Sequence, residues 1–185
     1  GSFSTTWKTD NPGTTASNQI RIPTIGTGYN YNIYWENVSS STINGTLLGR
    51  TGATTITFPA PGTYRVDITG TFPRIYFNNG GDREKILTIN QWGSIAWRNM
   101  ASAFAGATNL QSTASDSPNL AGASSTAYVF ADTAFNQVIS GWNVSTITDM
   151  SGMFSGATNF NQSLSHQLFL LSWRLCYSLL LPLGM

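Results

Sequence analysis

Chemistry has few places to come from in this chain. Residues 1 to 165 contain no histidine and no cysteine, which removes Ser-His-Asp and Cys-His nucleophiles and the usual transition-metal ligand sets from that stretch. The single histidine, His166, and the single cysteine, Cys176, sit ten residues apart in a segment unlike the rest, and no site is expected of them. What remains is carboxylate chemistry. Eight acids are present, and a glycosidase needs only two at the right separation. Asp116, Asp132 and Asp149, however, fall at the turns of a repeated pattern, where aspartate bonds backbone amides. They are read as structural, the chain is read as no enzyme, and no cofactor is implied. Asp82-Arg83-Glu84-Lys85 is the one cluster of charge. It reads as a solvated start to the first repeat, with Asp82 capping a short helix. The alternative is a Ca²⁺ site at Asp82, since Gly-Asp turns between domains can supply oxygen ligands, although no calcium-loop pattern surrounds it. Tyr34, out of phase with Trp35, is a candidate platform for a sugar ring, against the plainer reading of a tyrosine on an edge strand or at an interface.

The elements that would position these residues show first as a repeat. Phe135-Asn136-Gln137 returns as Phe160-Asn161-Gln162, 25 residues later. Trp92 and Met100 return as Trp142 and Met150, two periods on. A fixed period of this length marks units too small to bury their own apolar faces, which stack on their neighbours. The series Ile89, Trp92, Trp97, Met100, Ala103, Phe104 matches Ile139, Trp142, Ile147, Met150, Met153, Phe154. A degenerate middle unit, with Leu120, Ala123, Thr126, Val129 and Phe130, lies between them. The spacing of Met150, Met153, Phe154 and Ala157 predicts a short helix in each unit, and Val144 and Ile147 suit a short strand. The recurring aromatics are expected to form the stacked core.

Residues 3–80 read as an all-β unit. Tyr31, Ile33 and Trp35 alternate with polar or exposed neighbours, as do Tyr64, Val66 and Ile68 with Arg65, Asp67 and Thr69, the mark of half-buried strands. Shorter strands are expected at 19–22, 54–58 and 74–77. Turn signals separate them at Asn11-Pro12-Gly13, Gly26-Thr27-Gly28, Asn44-Gly45 and Ala60-Pro61-Gly62, a spacing that suggests a sandwich. Asn78-Asn79-Gly80-Gly81-Asp82 marks a boundary. The fold class is therefore mainly β with short helices: a β-sandwich over 3–80, then a solenoid of about three 25-residue units over 83–165. From His166 to Met185 the pattern stops, and eight leucines appear against six in the preceding 165 residues. That Leu-rich tail, 166–185, is expected to originate in a frameshift or fusion junction, or else to cap the stack. It is too short, and too interrupted by Arg174, to span a membrane.

Charged residues make up only 9% of the chain and the net charge is +1. With no basic cluster to neutralise phosphates, nucleic acid is not an expected partner. The polar surface must come from Thr, Ser, Asn and Gly, which favour strands and turns.

The run Trp142-Asn143-Val144-Ser145 through Asp149-Met150-Ser151 to Phe160-Asn161-Gln162 resembles the repeat of BspA-family leucine-rich-repeat surface proteins, the DUF285 repeats of bacterial lipoproteins. Tyr31 to Trp35 and Pro61 to Gly70 resemble a PKD-like (Ig-type) β-sandwich, although Trp35-Glu36-Asn37-Val38 stands where such domains have Trp-Gly-Asp-Gly. This resemblance implies an extracellular or surface-anchored binding or adhesion protein of a bacterium. Its partner would be a protein or glycan on another cell or matrix, and the resemblance assigns no ligand residue. A carbohydrate-binding domain of a larger secreted protein, or a structural spacer, are the alternatives.

Overall fold

A computed structural model describes residues 1–164. The expectations placed on the tail 166–185, including His166, Cys176 and the cap, lie outside the described residues. Among the described residues there are eight strands: β1 (Phe3–Lys8), β2 (Gln19–Ile22), β3 (Asn30–Asn37), β4 (Ser40–Arg50), β5 (Thr54–Thr57), β6 (Thr63–Thr71), β7 (Ile86–Gln91) and β8 (Gln111–Ser112). Six of them form an open sheet in the order β4-β3-β6-β1-β7-β8, and β2 pairs with β5 in a second, two-stranded sheet. The protein is thus mainly β. The alternation read in β3 and β6 is present in both strands: Tyr31, Ile33, Trp35, Tyr64, Val66 and Ile68 are buried, while Asn32 and Thr69 are exposed and Tyr34, Arg65 and Asp67 half-buried. The small sheet packs against that buried face. Phe58, the residue after β5, stacks on Tyr64 at 4.0 Å and meets Trp35 edge-on at 5.1 Å.

One expected turn and one expected strand differ. Asn44-Gly45 does not turn but lies within β4, where Gly45 pairs with Trp35. A Cβ at Gly45 would come within 2.5 Å of the Trp35 ring, so glycine there lets the indole lie across the neighbouring strand. The chain reverses instead at Val38-Ser39, where the Asn37 side-chain oxygen accepts the Ser39 amide at 2.8 Å. Residues 74–77, expected as a strand, carry no strand hydrogen bonds of their own. Their last amides open the stack described next.

The helices expected in the repeats are absent among the described residues, and the hydrogen bonds explain why. Phe77 and Asn79 donate their amides to Ala103 and Ala105. Met100, Ser102, Phe104 and Gly106 donate to Ser125, Ala127, Val129 and Ala131, and Thr126, Tyr128, Phe130 and Asp132 to Asp149, Ser151, Met153 and Ser155, all within 2.7–3.0 Å. Every second amide is therefore spent on the next turn of chain rather than on a carbonyl four residues back. Left-handed residues recur every fourth position, at Ser102 and Gly106, Tyr128 and Asp132, and Gly152 and Gly156. A right-handed helix cannot propagate through them. The spacing of Met150, Met153 and Phe154 is that of consecutive tight turns, which bury the same side chains as a helix would. Gly156 has φ 69°, so Gly156→Ala is expected to cost roughly 1–2 kcal/mol for the left-handed conformation alone, read as a lower denaturation midpoint.

One apolar core runs through both regions. Phe3 on β1 packs on Trp92 and Trp97 at 5.8 and 5.1 Å. Trp92 meets Trp142 edge-on at 5.4 Å, which brings the two recurring tryptophans into contact. A column of phenylalanines continues outward: Phe104 on Phe130 at 5.8 Å and Phe130 on Phe154 at 6.0 Å, with Phe135 and Phe160 alongside. The sheet also crosses the expected boundary at 78–82. β7 pairs antiparallel with β1, and β8 pairs parallel with β7.

Candidate functional site

The charged cluster is not a solvated helix start. Asp82 and Lys85 are each only 1% exposed, and no helix begins there. The Asp82 carboxylate accepts the amides of Thr14 (2.8 Å), Thr15 (3.2 Å) and Arg21 (2.7 Å) and the Thr15 hydroxyl (2.7 Å). The Lys85 ammonium donates to the carbonyls of Thr15, Ala16 and Gln19 at 2.9–3.2 Å and to the same Thr15 hydroxyl. Burial pushes its pKa below the usual lysine value, with Asp82 and Asp10 acting in opposition. Gly13 closes over the pair, since a Cβ there would meet Lys85 Cε at 2.7 Å. The carbonyl cage that would suit a cation is filled by lysine, and Asp82 has its oxygens committed to donors. This arrangement fastens the loop 13–21 to the start of the repeats and offers no calcium geometry. Among the described residues, no three His, Cys, Asp or Glu side chains converge on a common point.

The other acids divide as follows. Asp116 accepts the amides of Trp92 (2.9 Å) and Gly93 (2.8 Å) from the preceding turn, as its turn position predicts. Asp116→Ala, which strips both amides of their acceptor, is expected to lower stability by about 1–3 kcal/mol in chemical denaturation. Asp149 bonds the amide and hydroxyl of Ser151, and those bonds hold its carboxyl below the usual aspartate value of 3.8. A depressed carboxyl stabilises the fold above its unfolded pKa, and that contribution is lost as pH falls through the folded value. Asp149→Asn is therefore expected to flatten the stability profile as pH falls below the ordinary aspartate value of 3.8, measured by melting temperature against pH. Asp132 differs: it takes a left-handed turn at φ 54° and bonds the next turn through its own amide.

Tyr34 lies on the outer face of the large sheet, opposite in phase to buried Trp35, as its sequence position predicts. It is not a free platform. Its hydroxyl donates to Glu36 at 2.9 Å, and the Arg65 guanidinium lies 5.9 Å from its ring centre. Arg65 in turn pairs with Glu36 (2.9 Å) and Asp67 (3.0 Å). The phenol is thereby drawn into a closed set of charges, and its pKa is raised chiefly by the bond to Glu36.

The repeats build a different feature. Leu110 and Phe135 are fully buried, with Phe160 half-buried below them, so the residue after each one points out of the stack. Those residues are Gln111, Asn136 and Asn161, all exposed and one period apart. With Ser112, Ala134, Thr158 and Asn159 they line an open groove of about 590 Å³. β8 holds the first rung through its pairing with Thr88 and Ile89. The Asn136 side-chain oxygen holds the third, accepting the Asn161 amide at 3.1 Å and the Gln162 side chain at 3.0 Å. None of the lining residues carries a charge. The groove offers amide and hydroxyl donors and acceptors in a regular row, which suits an extended, neutral, polar ligand. The repeated Phe-Asn-Gln triplet signals Asn136 and Asn161 in the sequence, but as a mark of the period and not as a lining, and Gln111 lies outside it.

A family model described as "Mycoplasma protein of unknown function, DUF285" matches residues 76–172, a little over half of the chain. The chain belongs to the DUF285 family. The DUF285 segment begins next to Phe77, whose amide makes the first bond of the stack, and it contains every residue of the groove and of the phenylalanine column. The DUF285 segment also contains Asp82 and Lys85, so its opening is tied into the β-rich region through residues 13–21. No curated protein and no solved structure matches the chain. Among the described residues, no helix is long and apolar enough to cross a membrane.

Proposed function

We propose that this chain is a binding or adhesion module of a bacterial extracellular or surface-anchored protein, without catalytic activity. In this reading a PKD-like β-sandwich carries a short BspA-type leucine-rich-repeat stack, and the stack meets a protein or glycan on another cell or matrix. The observation that carries the reading is the uncharged row of Gln111, Asn136 and Asn161 along the groove. Three similar rungs give many weak, equivalent contacts, so a long ligand can bind without one deep pocket. The carboxylates support a role without catalysis. Asp82 and Asp116 are engaged by backbone amides, and Glu36 and Asp67 by Arg65.

The test uses point variants of the full chain. Removing residues 83–165 would delete β7 from the six-stranded sheet and so confuse lost folding with lost binding. Glycan and matrix-protein arrays probed with the wild-type chain should give a reproducible ligand. The combined variant Gln111→Ala, Asn136→Ala, Asn161→Ala should still unfold in one cooperative transition, lowered by no more than the roughly 1–2 kcal/mol that the Asn136 bonds to Asn161 and Gln162 are worth, and should lose that signal. Equal binding by the triple variant would remove the groove from the function.

A further inference from the structure

Among the described residues, the non-glycine positions with left-handed backbone are Asn78, Asn79, Ser102, Tyr128 and Asp132. Four of these are small or polar residues that tolerate the conformation; Tyr128, at φ 55°, is the bulky exception. The turn itself does not require an aromatic there. Ser102 and Gly152 hold the matching places in the turns before and after, as the bonds from Ser102 to Ala127 and from Tyr128 to Ser151 define the register. The core does not require one either, since Tyr128 is 46% exposed. Its hydroxyl has no hydrogen-bond partner among the described residues. What the ring does touch is Gly152, where a Cβ would overlap the ring atoms. The phenol ring is therefore seated against the bare backbone of Gly152, while close to half of the residue stays open to solvent.

Strain held at an exposed, fixed side chain suggests use by a ligand. The geometry points to Tyr128 as a stacking platform for a neutral pyranose ring of a glycan. An aromatic face offers apolar area with negative potential, which complements the C–H face of a sugar, and a ring already seated loses little freedom on binding. The neighbouring turn positions carry Ser102, Ser151, Ser155, Asp132 and Asp149, which can exchange hydrogen bonds with sugar hydroxyls. The two carboxylates disfavour an anionic sugar. This rests on the binding reading and goes beyond it, adding a second contact point with its own ligand class outside the groove lining.

The experiment is an NMR titration of the full chain with cellohexaose and, separately, maltohexaose, alongside Tyr128→Phe, Tyr128→Ser and Asn136→Ala. The wild-type chain should show saturable shifts around Tyr128 with one of these sugars, with a dissociation constant on the order of 1 mM. Tyr128→Phe should bind alike, and Tyr128→Ser should bind roughly tenfold more weakly or not at all. Tyr128→Ser should melt no lower than wild type, because serine occupies the matching turn position at 102. Asn136→Ala should leave these shifts in place, so the platform and the groove fail separately. Absence of saturable shifts with both sugars would overturn the inference. So would unchanged affinity in Tyr128→Ser, or a melting point lowered by several degrees in that variant, which would assign the ring to holding the turn.

Discussion

Phe130→Ala is expected to cost about 3–5 kcal/mol, the range for removing a large aromatic from a close-packed core. Phe130 is fully buried and is the ring on which the column converges. It stacks on Phe135 at 3.8 Å, lies between Phe104 and Phe154 at 5.8 and 6.0 Å, and meets Trp142 at 5.9 Å. Its backbone amide also bonds Met153 in the next turn at 3.0 Å, which limits how far the chain can close over the cavity. The unfolding midpoint in denaturant should fall accordingly. A loss below about 1 kcal/mol, the size of a single lost methylene, would mean that the turns are not held together by this column.

Asp82→Ala should be about as damaging, on the order of 3–5 kcal/mol, the usual effect of removing one partner of a buried charge arrangement. Alanine leaves the amides of Thr14, Thr15 and Arg21 without their acceptor. It also leaves the buried Lys85 ammonium without its nearby countercharge. Lys85→Met removes the donor to three carbonyls and should be costly for the matching reason. The two groups share the Thr15 hydroxyl, so the double variant Asp82→Ala, Lys85→Met should lose less than the two single losses added together. Strict additivity in denaturant unfolding would show that the groups act independently.

These two sites also show what could be read from residue order and what could not. The strands with clean alternation, Tyr31 to Trp35 and Tyr64 to Ile68, were legible because one face of each is buried and the other is wet. The recurring Phe and Trp residues were legible as a stacked core because their period exceeds any local structure. The helical reading of Met150, Met153 and Phe154 failed because three-and-four spacing also fits a run of tight turns. Only the left-handed residues at every fourth position separate the two, and Tyr128 at such a position carries no warning in its residue type. Asn44-Gly45 has turn chemistry, yet the indole of Trp35 needs that glycine within a strand. Asp82 and Lys85 looked solvated because their partners, residues 13–21, are some 60 or more positions away in the chain. The groove was half visible. Asn136 and Asn161 stand in the repeated triplet, but Gln111 does not, and the row they form comes from the burial of Leu110, Phe135 and Phe160 behind them.

The most direct test of the binding account is amide chemical-shift mapping of the ¹⁵N-labelled chain, titrated with the ligand that the arrays return. The largest shifts should fall on Gln111, Asn136 and Asn161 and on Ser112 and Thr158, which line the same groove. Shifts gathered instead on Tyr34, Glu36 and Arg65, on the outer face of the sheet, would contradict it and move recognition to the β-rich region.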